Sequence, residues 1–142
     1  MSHPSTAWTI ERTIPSELDA GHRVLEELLS QLRIENWSAR DIFGIRLALE
    51  EAVVNAIKHG NRLDASKQVY VLCQSTPEKI CIKITDQGPG FDPEAVPDCT
   101  DSEHIDAPNG RGIMLMRNFM NRVEYNECGN VVTMEKLRPP RS

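Results

Sequence analysis

The sequence predicts an α+β fold, a two-layer α/β sandwich in which a mainly antiparallel sheet carries helices on one face. Three observations lead there. Apolar residues recur at three-and-four spacing through two long segments, from about Glu17 to Leu32 and from Asp41 to Gly60, as on helices packed by one side. About five shorter runs alternate or are rich in β-branched residues, as strands are. Most of those runs are joined by short hairpin connections, which favours antiparallel neighbours over crossovers.

Trp8 to Ile14 alternates as a first strand, closed by Pro15. Ser16 with Asp19 three residues on resembles a capping arrangement for the first helix, whose buried face is Val24, Leu25, Leu28, Leu29 and Leu32. Trp37 follows in a linker, and Ser38 or Asp41 is expected to cap the central helix. The stripe of that helix is Ile42, Ile45, Leu49, Ala52, Val53 and Ala56. It is expected to stop at Gly60 in a left-handed C-terminal cap. A polar loop leads to strands at Gln68–Gln74 and Lys79–Asp86 around a turn at Pro77. In the second, Ile80, Ile82 and Ile84 point one way and Cys81 and Lys83 the other. From 91 to 109 the chain is acidic and proline-interrupted, long for an idle connection, and reads as a lid. Gly110-Arg111-Gly112 then opens a third helix with Ile113, Leu115, Met116, Phe119 and Met120. A last hairpin is expected from Val123–Glu127 and Val131–Leu137 around Cys128-Gly129-Asn130.

The 142 residues suit one domain, 1–142, with a core that needs no disulfide or structural metal. A net charge of -5 and a pI near 5.4 argue against a protein that wraps nucleic acid or lies on an anionic membrane. No apolar run approaches a membrane span and the first residues do not have the form of a signal peptide, so a cytoplasmic location is expected. The cysteines at 73, 81, 99 and 128 form no Cys-x-x-Cys pair and have no nearby histidine, which speaks against zinc; Cys73 and Cys81 read as small strand hydrophobes. His22 reads as a surface residue of the first helix.

Chemistry concentrates in three places. Glu51 and Asn55 stand one turn apart on the side of the central helix turned away from its apolar stripe. The carboxamide can offer a neutral oxygen to Mg²⁺, and the carboxylate can hold a hydroxyl or water ready for deprotonation. Alone, such a pair is more often simply the wet side of an amphipathic helix. Asp86-x-Gly88-x-Gly90 at a strand end suits a planar base, because a carboxylate accepts from an exocyclic amine and glycines allow close approach. Gly110-x-Gly112 at a helix start suits phosphate, which free N–H groups and the helix dipole both favour. Each glycine pair alone is as often a turn or a cap; their order behind Glu51 and Asn55 is far more specific. Arg111 is the only cation of the phosphate-side motif, since no Lys or Arg lies between Lys83 and Arg111, and its planar fork of donors can bridge phosphate oxygens.

The ordered set Glu51-x-x-x-Asn55-x-x-x-His59-Gly60, Asp86-x-Gly88-x-Gly90 and Gly110-Arg111-Gly112 resembles the GHKL or Bergerat-fold ATPases. Within them the chain looks most like the small bacterial anti-sigma factor serine/threonine kinases, from its first strand to its last hairpin. The resemblance implies a Bergerat-type sandwich that uses ATP and Mg²⁺. Asn55 would ligate Mg²⁺, Glu51 would be the catalytic base and Asp86 would read adenine. His59, Gly88, Gly90, Gly110 and Gly112 would complete the nucleotide pocket. Such kinases phosphorylate a small antagonist protein, bind a sigma factor and commonly form homodimers, with no direct nucleic acid or membrane partner. The chain has no room for the further segments of a whole histidine kinase. A nucleotide-gated binding module without phosphotransfer, or a detached histidine-kinase ATPase domain, are the other readings.

Overall fold

The computed structural model describes residues 7–88, 116–126 and 130–138. Their elements follow as β1 (Trp8–Pro15), α1 (Leu18–Ile34), α2 (Ala39–Val54), a π-helical turn (Asn55–Gly60), β2 (Gln68–Ser75), β3 (Lys79–Asp86), β4 (Arg122–Tyr125) and β5 (Val131–Leu137). Residues 116–119 form a helical turn just before β4. The strands make one sheet in the order β1-β2-β3-β5-β4, antiparallel at every neighbouring pair. The α+β sandwich is therefore as expected, and its described sheet is wholly antiparallel.

Side-chain alternation sets the register. Val71 pairs with Ile84, Cys73 with Ile82, and Ile82 with Met134, all buried, whereas Tyr70 and Lys83 on the alternate positions are exposed. A slip of one residue would turn the isoleucines of β3 into water, so this pairing is strongly specified. Among the described residues the helices cover only that one face. Leu28, Leu29 and Leu32 of α1 meet Ile45 and Leu49 of α2 and Ile57 of the π turn in a continuous core. Each such side chain contributes about 1.5–3 kcal/mol by leaving water. Trp37, placed in a linker by sequence, is also buried, with the Arg138 guanidinium 4.5 Å above its ring. That stacking ties the end of β5 to the connection between the two helices.

Several boundaries differ for identifiable reasons. The Ser16–Asp19 cap does not form: α1 begins after Glu17 without a side-chain cap, and the buried Ser16 hydroxyl donates instead to the Lys67 carbonyl at 2.7 Å. Of the two candidates for α2, Ser38 is the cap, accepting from the Asp41 N–H at 3.0 Å. Gly60 is not left-handed; Arg62 and Leu63, at φ 54° and 58°, turn the chain two and three residues later. β4 ends at Tyr125 rather than Glu127. The lid at 91–109 and the Gly110-Arg111-Gly112 helix start lie outside the described residues, as do Gly90, Cys99 and Cys128. Cys73 is buried and burial pushes its thiol far up, in keeping with an inert strand hydrophobe. No helix among the described residues is long and apolar enough to cross a membrane.

Candidate active site

The central helix changes character where its chemistry begins. α2 is regular to Val54, and Asn55 then opens the π-helical turn, a widening often found where a helix serves a site. Glu51 and Asn55 are both half-buried on this stretch. The Asn55 Oδ1 atom is shut off from solvent and has no hydrogen-bond partner among the described residues. Leaving such an oxygen unsatisfied costs about 1–3 kcal/mol, so its lone pairs call for an external partner. A hard cation that takes neutral oxygen ligands fits that description.

Asp86 closes β3 and is 7 % exposed. Its N–H donates to the Asn130 carbonyl at 2.9 Å, and the Gly88 N–H donates to its Oδ1 at 2.8 Å. Burial pushes its carboxyl up to about 6, against smaller opposing effects of the Gly88 N–H and the Lys67 charge. Gly88, at φ 31°, takes a conformation that side-chain-bearing residues rarely adopt.

The two motifs meet at Gly60. A Cβ on that residue would stand 2.3 Å from Oδ2 of Asp86, so the π-turn backbone lies directly against the carboxylate. This proximity, rather than a helix cap, is why glycine ends the stretch. The structure thus brings Glu51, Asn55, Gly60, Asp86 and Gly88 together, whereas the exposed His59 makes no hydrogen bond or ion pair among the described residues.

Two further residues join them. Tyr125, packed against the core at the end of edge strand β4, has a hydroxyl that feels the Asn55 carboxamide and the charges of Glu51 and Asp86; burial raises its pKa. Lys67, from the loop before β2, donates to the Gly88 carbonyl at 3.2 Å and supplies the cation near Asp86. Neither lies within a motif, and only strand pairing and loop closure carry them there.

Comparison with known proteins gives the family. The profile of the histidine kinase-like ATPase domain matches residues 14–136. The serine-protein kinase RsbW of Staphylococcus epidermidis is 31% identical over 140 residues, covering 93% of this chain and 88% of its own. The serine/threonine-protein kinase BtrW of Bordetella bronchiseptica is 29% identical over 112 residues, 76% and 79% of the two chains. An anti-sigma F factor of Clostridium perfringens is 31% identical over 103 residues, 68% and 72%. Among solved structures, the RsbU and RsbW domains of a Mycobacterium tuberculosis protein superimpose with a TM-score of 0.65 at 17% identity, over 94% of this chain and 33% of that one, a likeness of fold. The chain belongs to the histidine kinase-like ATPase domain family, alongside the serine-protein kinases and anti-sigma factors it matches.

Proposed function

We propose that this protein is an Mg²⁺- and ATP-dependent protein serine/threonine kinase that phosphorylates a small antagonist protein and thereby controls a sigma factor. The observation that carries the reading is the buried Oδ1 of Asn55, without a partner among the described residues, on a side chain whose neighbour Tyr125 also feels Glu51 and Asp86. Asn55 would hold Mg²⁺, which neutralises triphosphate charge when bound. Asp86 accepts a hydrogen bond from the exocyclic amine of adenine, its carboxylate seated against the backbone of Gly60 and Gly88. Glu51 takes the proton from a serine or threonine hydroxyl as its oxygen bonds to the γ-phosphorus of ATP and ADP leaves. Gly90, Gly110 and Gly112 shape the phosphate side, with His59 at its margin, and Arg111 stabilises the charge that develops on the transferring group.

The name of the anti-sigma F relative supports a sigma factor as partner and that of the RsbW relative a protein serine as phosphate acceptor; a small antagonist protein and a cytoplasmic setting belong to the same reading. Edge strand β1, paired on one side only among the described residues, supports a homodimer. The test is transfer of γ-phosphate from ATP to small antagonist-like proteins of the same genome. Arg111→Ala should abolish transfer and weaken ATP binding while leaving adenosine binding alone. The acidic stretch with Asp92, Glu94, Asp98, Asp101, Glu103 and Asp106 favours the second reading, a nucleotide-gated binding module. ATP binding with no transfer to any such protein would select it.

A further inference from the structure

Asn61, directly after the π turn, is 1 % exposed, and its side chain uses every strong hydrogen-bonding group it has. Nδ2 donates to the Ser16 hydroxyl at 2.9 Å and to the Gln68 carbonyl at 2.9 Å. Oδ1 accepts the Gln87 N–H at 2.8 Å. With two acceptors on one side and an amide donor on the other, only one orientation of the carboxamide satisfies the site. Ser16 in turn donates to the Lys67 carbonyl, and the Gln68 N–H donates to the Gln87 side chain at 2.7 Å. The segment Asp86-Gln87-Gly88 is thus held from the start of α1, from the end of the π turn and from the start of β2.

We propose that Asn61 is a positioning residue for base recognition: by gripping the Gln87 amide it fixes the neighbouring Asp86 carboxylate where the exocyclic amine of the base must meet it. Asp86 has Gly60 on one side and Gly88 on the other, and the bond between Asn61 and Gln87 spans that gap. Neither Asp, which lacks the two donors, nor Leu, which lacks all three groups, can replace this side chain. The inference rests on the assignment of Asp86 to the base.

The assignment and the inference separate in one binding experiment. Affinities for ATP and for purine riboside 5′-triphosphate, which is ATP without its exocyclic amine, are measured by calorimetry on the full chain. Wild type should prefer ATP by about tenfold or more, as for a hydrogen bond to a charged group. Asn61→Ala should erase that preference while the affinity for purine riboside triphosphate stays within about twofold, and in an Asp86→Ala background it should change ATP affinity no further. Equal weakening for both nucleotides, or an intact preference, overturns the role of Asn61. No preference in wild type overturns the assignment of Asp86 and the inference with it. Should Asn61→Ala fail to fold, Ser16→Ala removes only one of its supports and should lower the preference in the same selective way; an unchanged preference there counts equally against the proposal.

Discussion

Replacing Asp86 with Asn removes a charge that the fold buries at a cost, and the size of the effect follows from the structure. The carboxyl is displaced from 3.8 to about 6, chiefly by burial. At 1.36 kcal/mol for each tenfold change in proton affinity, that displacement corresponds to about 3 kcal/mol. Because the folded-state value is raised, the associated stability is fully present below pH 3.8 and is lost as pH rises through about 6. Asp86→Asn keeps the shape and the acceptor for the Gly88 N–H but has no such dependence. Urea unfolding without nucleotide, compared between the two proteins from pH 4 to pH 7.5, should show the variant gaining on wild type by up to about 3 kcal/mol across the window. Comparing the two proteins removes titrations common to both. Nucleotide binding should run the other way, because the amine of adenine prefers the ionised acceptor. Wild-type ATP affinity should fall by nearly tenfold between pH 7 and pH 5, while the weaker affinity of Asp86→Asn loses only the change due to the triphosphate itself. Parallel stability curves for the two proteins would refute the argument that Asp86 is held as a desolvated carboxylate.

Asn55→Ala removes a buried oxygen that has no partner among the described residues together with the contact of the carboxamide to Tyr125, so stability without nucleotide should change by no more than about 1 kcal/mol, while the magnesium dependence of ATP binding disappears in calorimetry. Loss of stability with magnesium dependence intact would contradict the metal assignment. Glu51→Gln should preserve ATP affinity and lower phosphate transfer about a hundredfold or more in a radiolabel assay; a variant of wild-type activity would show that the base lies elsewhere. Gly60→Ala drives a Cβ into the Asp86 carboxylate, and should cost about 1–3 kcal/mol in urea unfolding together with a clear loss of ATP affinity, since backbone and buried carboxylate must part.

Periodicity alone determined the core of this protein. The three-and-four spacing through Leu28, Leu29, Leu32, Ile45 and Leu49, and the alternation of Ile80, Ile82 and Ile84, each admit one buried face, so the sandwich could be read before any contact was known. The candidate residues Glu51, Asn55 and Asp86 were legible as well, because polar groups at fixed spacing on a helix and at a strand end break patterns that packing explains. What a linear reading could not supply were relations between segments far apart in the chain. Gly60 reads as a helix cap until Asp86 is seen to occupy the space of its missing Cβ. Ser16 reads as another cap until the Lys67 carbonyl and the Asn61 carboxamide draw its hydroxyl away. Tyr125 and Lys67 have no local pattern and reach the site only through the pairing of β4 with β5 and the closure of the loop before β2. Local spacing decides which face of an element is apolar; which buried oxygen is left without a donor, and which carboxylate is stripped of water, is decided only when distant elements close around them.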